Sequence, residues 1–210
     1  MMQFVLLEVH LTGSLGGEER TPFTKTKKML GSSTRKLKGV NLSGKETVRC
    51  SNPSSDEVGR TYVQVDGAFS YTSSTAACGG VIIDHNQGIK EGFKTRLISG
   101  DVLTAELWGC LFGLKRAWNS GFRNVVLRLD SSDAIRLLKD PTPELNEDWA
   151  LIEEVKNMLK RNWRVECQLF DRDDNWMADM LAKQALNDKP GFIILGPDSV
   201  QTILDSDGIG

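Results

Sequence analysis

Asp66 is the residue whose type and position first suggest chemistry in this chain of 210 residues. Val63 and Val65 alternate with polar neighbours, and this period of two predicts a β-strand over Thr61–Phe69 that ends near the acid. Gly67 follows directly, and a glycine lets another group approach the backbone closely. A carboxylate in this place can hold a metal ion, although most aspartates at strand ends only form turns. The stretch alone leaves both interpretations open.

A second predicted strand also ends in an acid. Residues Asn124–Asp130 alternate in the same way, with Val125, Leu127 and Leu129 on one face, and Asp130 comes last. A short helix over Ser131–Lys139 follows, so Asp130 could equally cap that helix.

Two predicted helices carry further acids. The first is capped by Asp101, runs to Asn119 and stops at Gly121, and Glu106 lies beside its apolar stripe. The last is capped by Asp173 or Asp174 and reaches Leu186. On it Asn175 and Asp179 are four residues apart, so the two side chains share a face. Taken singly, Glu106 and Asp179 could be solvated helix acids.

The remaining elements decide how these acids can meet. Patterning predicts further strands over Ala77–Asp84, Lys90–Leu97 and Arg164–Phe170, and a helix over Leu145–Arg161. The order β-β-β-α-β-α-α-β-α, with right-handed crossovers, predicts an α/β fold with a mixed five-stranded sheet in the order 3-2-1-4-5. The first and fourth strands are then neighbours. Asp66 and Asp130 both lie at carboxyl ends near the switch point, where such sheets place their sites.

Composition predicts a central domain with two flanking segments. Formal net charge is −2, so the chain as a whole lacks a strongly basic nucleic-acid footprint. Residues 1–60 are predicted to be a poorly ordered basic extension, which either is solvated or serves in phosphate binding or targeting. Residues 61–190 form the predicted domain. Residues 191–210 are predicted to be a C-terminal tail, or a short docked segment at its apolar start.

The cysteines and the hydropathy pattern predict an intracellular setting. Four cysteines are scattered without any C-x-x-C pair, which argues against a zinc site and favours reduced, buried thiols. The apolar run Phe4–Leu7 is too short for a signal peptide, and no segment is long enough to cross a bilayer. A nuclear or cytoplasmic location is expected rather than a secreted one, with no membrane partner.

Five short motifs appear in order on the predicted elements. They are Val65-Asp-Gly-Ala68, Cys78-Gly-Gly-Val-Ile82, Leu103-Thr-Ala-Glu-Leu107, Leu129-Asp-Ser131 and Asn175-Trp-Met-Ala-Asp-Met-Leu-Ala182. Together they resemble the type 1 ribonuclease H domain, in its plant branch related to retroelements. The resemblance covers about Tyr62 to Leu186 and implies the ribonuclease H-like fold.

The resemblance also implies an activity and its residues. In that family four carboxylates, here Asp66, Glu106, Asp130 and Asp179, bind two Mg²⁺ ions, with Mn²⁺ as an alternative. The implied reaction is hydrolysis of the RNA strand of an RNA–DNA hybrid, leaving a 3′-hydroxyl and a 5′-phosphate, since two cations can activate water and stabilise the leaving oxygen. Substrate contacts are implied at Gly67, Ser131 and Asn175, and Asn175 could instead simply cap its helix.

Three departures from the family pattern leave other functions open. Leu169 stands where the family often has a histidine that assists proton transfer or product release. Val102 and Leu103 replace polar residues that contact RNA 2′-hydroxyls. The basic handle helix is absent, because Pro141 to Arg161 is acidic. The alternatives are therefore a catalytically weak or inactive module that binds nucleic acid or protein, and a DNA nuclease of the same architecture.

Overall fold

The computed structural model describes residues 59–141 and 146–207. Predictions for the N-terminal extension, apart from its last two residues, lie outside the described residues. Helices and strands alternate much as the sequence predicts. The strands are β1 Thr61–Ser70, β2 Thr75–Ile83, β3 Ile89–Arg96, β4 Asn124–Leu129, β5 Arg164–Leu169 and β6 Gly191–Leu195. The helices are α1 Val102–Asn119, α2 Ser132–Lys139, α3 Trp149–Leu159, α4 Trp176–Ala185 and α5 Pro197–Asp207.

The six strands form one mixed sheet in the order β5-β4-β1-β2-β3-β6. β1 is parallel to β4 and antiparallel to β2, and β4 is parallel to β5. The predicted mixed α/β sheet and its order 3-2-1-4-5 are confirmed for the first five strands. The count of five was wrong, because Gly191–Leu195 adds a sixth strand antiparallel to β3. The sequence offered only an apolar patch there, and an edge strand is specified by its partner as much as by its own pattern.

The helix predictions needed adjustment at two starts. Asp101 caps α1 through a hydrogen bond from the Thr104 backbone N–H, as predicted. α3 begins at Trp149 rather than at residue 145. Neither Asp173 nor Asp174 caps α4: both belong to a 3₁₀ turn, and Asn175 occupies the N-cap position. Two acids in a row before a helix therefore did not identify the capping residue.

Helices pack on both faces of the sheet. α1 lies so close to β1 that a Cβ built on Gly113 would be 2.7 Å from Val65 Cγ1. On the opposite face, a Cβ on Gly79 of β2 would be 2.5 Å from the backbone N of Ala182 in α4. The main core lies between the sheet and α1 to α3, and includes Val63, Leu107, Leu127 and Ile152.

The last two elements cover an edge of the sheet. We call β6 and α5 together the C-terminal cover. Val200 and Leu204 of α5 are buried against Val81, Ile83 and Leu181, forming a second apolar cluster on the α4 side. Within the described part of the chain, no helix is both long enough and apolar enough to cross a bilayer.

Candidate metal centre

Strand register brings Asp66 and Asp130 together. β1 and β4 are parallel, and their last registered pair is Gln64 with Arg128. Asp66 and Asp130 each lie two residues further on. Because side chains alternate along a strand, this places both acids on one face, with Asp130 directly after the end of β4 and Asp66 within β1, which continues to Ser70. The prediction from chain order that these residues are neighbours is confirmed by this register.

Glu106 reaches the same point because Gly67 has no side chain. A Cβ on Gly67 would lie 2.5 Å from the Glu106 backbone N and 2.7 Å from the Ala105 carbonyl carbon. Any larger residue would push α1 away from β1. The space beside Gly67 is therefore taken by α1 on this side of the strand. Its role is to let the helix bring Glu106 in.

Three acids form a compact set of oxygen donors, which we call the carboxylate cluster: Asp66, Glu106 and Asp130. One carboxylate oxygen from each lies within 4.8 Å of the others. Asp66 is 3% exposed and Glu106 is 6% exposed. Glu106 Oε2 is buried and has no hydrogen-bond partner among the described residues. This donor set fits a divalent cation, since hard cations bind carboxylate oxygens and would satisfy the orphaned one.

The protonation equilibria show how strongly these charges repel. Burial raises the pKa of Asp66 to about 7, and the charges of Asp130 and Asp179 add to the effect. Burial, followed by the charges of Asp66 and Asp130, raises the pKa of Glu106 to about 9. Carboxyl groups brought together out of water cannot all ionise without a compensating cation. The cluster is therefore suited to binding a cation, which would compensate the repulsion between its carboxylates.

The fourth predicted acid, Asp179, comes from α4. Its charge lies near enough to Asp66 to add to the raised pKa of that carboxyl group. Asp66 is opposite Gly79 on β2, and side chains of opposed residues share a face. Since Gly79 admits the α4 backbone, this face is where α4 approaches the cluster. The structure thus brings Asp66, Glu106 and Asp130 within 4.8 Å of one another, while Asp179 lies on α4 beside Asp66 and outside that set.

Asn175 ties the start of α4 to the strand that carries Asp66. Its side chain is fully buried, and Nδ2 donates a hydrogen bond of 3.0 Å to the carbonyl oxygen of Val65. It makes no side-chain capping bond, so the capping alternative does not describe it. Its Oδ1 is buried without a partner among the described residues. Asn175 therefore positions α4 relative to β1.

Two cations near the acids were not found from the sequence. Lys183 Nζ lies 2.7 Å from Asp179 Oδ2. Arg172 Nε lies 3.8 Å from Asp130 Oδ2, with its side chain 79% exposed. The spacing of four between Asp179 and Lys183 on a helix could have indicated the first pair. No local pattern indicates the second, because it joins a strand end to a distant turn.

The remaining predicted site positions lie around the cluster. Ser131 follows Asp130, and its Oγ accepts a hydrogen bond of 3.2 Å from the Ala134 backbone N–H at the start of α2. Leu169 ends β5, the strand next to β4, and is 52% exposed. An exposed leucine at the edge of a polar site neither binds metal nor transfers protons.

Comparison with known proteins agrees with this arrangement. The model of the reverse transcriptase-like family matches residues 64–185, which include all four acids. The chain belongs to this family. The resemblance to a ribonuclease H domain of the plant, retroelement-related branch is thereby confirmed. The C-terminal cover of this reverse transcriptase-like protein lies beyond the matched residues.

Relatives of this reverse transcriptase-like protein carry ribonuclease H names. A protein of Arabidopsis thaliana named as a ribonuclease H protein is 30% identical over 155 residues, which are 73% of this chain and 25% of the relative. The chain thus spans about a quarter of that relative's length. Ribonuclease H1 of Halobacterium salinarum is 26% identical, with a TM-score of 0.52 over 62% of this chain and all of that one.

Two further solved structures support the fold. The N-terminal ribonuclease H domain of a Mycobacterium tuberculosis protein aligns with a TM-score of 0.55 at 20% identity, over 61% of this chain and 94% of that one. LC11 ribonuclease H1, solved with an RNA/DNA hybrid, aligns with a TM-score of 0.52 at 21% identity, over 60% and 96% of the two chains. The predicted ribonuclease H-like fold is confirmed.

Proposed function

We propose that this protein is a Mg²⁺-dependent endonuclease that hydrolyses the RNA strand of RNA–DNA hybrids. The observation that carries the proposal is the carboxylate cluster, with its three oxygens within 4.8 Å and one buried oxygen unsatisfied. Membership of the family and the names of the relatives support the choice of substrate. The hybrid bound in the LC11 ribonuclease H1 structure supports it further.

The residues that would hold the cations are Asp66, Glu106, Asp130 and Asp179. Divalent cations bound there supply an activated water and stabilise the leaving oxygen of a phosphodiester. Mg²⁺ is favoured because every donor is an oxygen, and Mn²⁺ can substitute for the same reason. The products expected are a 3′-hydroxyl and a 5′-phosphate.

The chain's own residues prepare the site in two ways. Burial of Asp66 and Glu106 keeps bulk water away and strengthens their interaction with any charge placed between them. The Asn175 bond to Val65 holds α4, and with it Asp179, at a set distance from β1. Ser131 is placed beside Asp130 and is proposed to contact the substrate backbone. Gly67 is proposed to act on substrate only through its packing with α1.

The full chain should be tested on a panel of labelled substrates. An RNA–DNA hybrid, double-stranded DNA, double-stranded RNA and single-stranded RNA are each incubated with Mg²⁺, Mn²⁺ or EDTA. Cleavage of the hybrid with either metal, and not with EDTA, is expected. Cleavage of double-stranded DNA in preference to the hybrid would show a DNA nuclease of the same architecture instead.

Matched variants separate chemistry from folding. Asp130→Asn should reduce hybrid cleavage by about 10³-fold, since loss of several kcal/mol of cation binding lowers the rate by that order. Asp133→Asn changes an exposed acid three residues away, paired only with exposed Arg136 among the described residues, and should leave cleavage within twofold. Equal activity of Asp130→Asn and the unaltered protein would refute the proposed site.

A binding module with little catalysis is the second candidate. It is favoured by Leu169, which offers an apolar, exposed side chain at the strand end beside the cluster. Hybrid binding with micromolar or tighter affinity, together with no cleavage in Mg²⁺ or Mn²⁺, would establish this function. Cleavage that depends on Asp130 would exclude it.

A further inference from the structure

The outer face of α4 combines an exposed aromatic ring with charge beside the acids. Trp176, the first residue of α4, is 46% exposed. α4 buries Ala178, Leu181 and Ala182 against the sheet, so its first turn is firmly seated. An exposed tryptophan ring on a well-packed helix does not gain the large favourable free energy that its burial would provide. Such a ring is suited to a ligand that covers its face.

A groove runs along this face and includes Asp179 in its lining. It has a volume of about 500 Å³, which is within the size range of small-ligand sites. Its lining is drawn from one stripe of α4 and the residues after it: Trp176, Asp179, Met180, Lys183, Gln184 and Asn187. Asp179 therefore belongs both to the groove and to the surroundings of the carboxylate cluster.

The chemistry of the groove matches one nucleotide unit of a polynucleotide. Trp176 offers an apolar ring for a base or a sugar. Lys183 offers a cation that the ion pair with Asp179 already holds in place, at 2.7 Å. Gln184 and Asn187 offer amides that can donate to or accept from base edges. Stacking on an aromatic side chain plus contact with a cation is the usual means of binding a nucleic-acid strand.

The position of Trp176 is set rigidly from both sides. The preceding residue, Asn175, is fully buried and bonded to the backbone of β1 through Val65. On the opposite face of α4, Ala178, Leu181 and Ala182 are buried against the sheet. The ring is therefore presented at a constant distance from Asp66. A ring presented in this way can position a strand relative to the cluster.

We propose that this groove is a nucleotide subsite that binds the nucleotide flanking the bond to be cut, with Trp176 stacking on it and Lys183 binding its phosphate. The assignment rests on the proposed function for the identity of the strand. The binding itself requires no catalysis. Trp176 and Lys183 are thus positioning residues for the substrate and not ligands of the cation.

The test measures binding of a 16-base-pair RNA–DNA hybrid to the full chain in EDTA, where no cleavage occurs. Hybrid binding should quench tryptophan fluorescence, and Trp176→Phe should remove most of that quenching. Trp176→Ala should weaken binding by about 10-fold, because one stacked base is worth roughly 1–3 kcal/mol. Trp149 is the matched control: it is 50% exposed and begins α3, outside the groove. Its alanine and phenylalanine variants should behave like the unaltered protein.

The lysine is tested by salt dependence. Lys183→Met should reduce the slope of log affinity against log salt concentration by about one unit, as expected for loss of a single phosphate contact. Lys115→Met is the control, since Lys115 is likewise paired with an acid, Glu154, at 2.6 Å on another helix. Thermal unfolding of each variant, followed by circular dichroism, checks that the fold is intact.

The outcomes separate the subsite from the proposed function. Unchanged binding by Trp176→Ala, an equal loss for Trp149→Ala, or no hybrid binding at all would overturn the subsite, even if the protein cleaves hybrids in Mg²⁺. Quenching that depends on Trp176, in a protein that cleaves nothing, would support the subsite while the proposed hydrolysis fails.

Discussion

The carboxylate cluster and the C-terminal cover affect the stability of the fold in opposite directions. The cluster gathers three acids whose burial and mutual repulsion raise the pKa values of Asp66 and Glu106. The cover buries Val200 and Leu204 in an apolar cluster. The first costs folding free energy, and the second contributes to it. The carboxylate cluster also lies within the residues matched by the family and the cover beyond them, so the candidate metal centre and the added apolar packing lie in different segments.

The largest effect on stability and cleavage is expected at Gly67, where α1 packs against β1 and carries Glu106 to the cluster. Gly67→Ala places a Cβ 2.5 Å from the Glu106 backbone N, so α1 must move. We expect the free energy of unfolding to fall by about 3 kcal/mol, and cleavage to be lost as Glu106 is displaced. Urea denaturation and the hybrid assay measure the two effects.

Gly196→Ala is the control for that substitution, since a Cβ there meets nothing within 4 Å. It should change the free energy of unfolding by less than about 0.5 kcal/mol. Normal stability of Gly67→Ala would show that α1 does not depend on this close approach.

The next largest effect is expected in the cover. Leu204→Ala removes a side chain that is 6% exposed, and should lower the free energy of unfolding by about 2 kcal/mol. Hybrid cleavage per folded molecule should be unchanged, because the cover contributes no acid to the cluster. Thr202→Ala, at an exposed position on the same helix, should be nearly neutral. A loss of cleavage in folded Leu204→Ala would mean that the two regions are coupled.

A smaller effect is expected from pH in the absence of metal. The folded protein binds protons at Asp66 and Glu106 more tightly than the unfolded chain does, since both pKa values are raised from 3.8 and 4.5 to about 7 and about 9. Their contribution to stability is complete below the unfolded pKa values and is lost as pH rises through the folded ones. In EDTA the melting temperature should be lower at pH 9 than at pH 6 by on the order of 5 °C.

Mg²⁺ should remove most of that difference, because a bound cation replaces the protons. Glu106→Gln should flatten the profile in EDTA, since its amide does not titrate. An equally steep profile in this variant would place the pH dependence outside the cluster.

The smallest effect is expected at the end of β5. Leu169→His restores a side chain able to transfer protons, and should raise the rate of hybrid cleavage by about 3- to 10-fold, below the usual range for general acid–base catalysis because the surroundings are not adapted to it. Leu169→Gln is the matched polar control and should leave the rate unchanged. An equal gain from glutamine would show that polarity alone, rather than proton transfer, limits turnover.

The sequence was sufficient to nominate the acids as candidates and to predict most of the elements, because both follow local rules. Asp66 lies in one alternating segment and Asp130 ends another, and Glu106 and Asp179 lie on helices with clear periodicity. The order of elements then allows few topologies, so the sequence could predict that β1 and β4 are adjacent in the sheet. The sequence predicted a close approach at Gly67 but not that α1 makes it, because a missing side chain does not say which group fills the space.

Sequence alone determined which residues could carry the chemistry and that two of them lie on adjacent strands. Tertiary structure decided the rest: that Glu106 joins Asp66 and Asp130 in one cluster with Asp179 nearby, that the Asn175 side chain bonds to β1 instead of to its own helix, and that residues 191–195 complete the sheet. These features depend on contacts between segments far apart in the chain, where one segment's partner is set by the packing of the others. The local sequence pattern does not predict such contacts, because each residue type involved also occurs commonly in loops and on solvated faces.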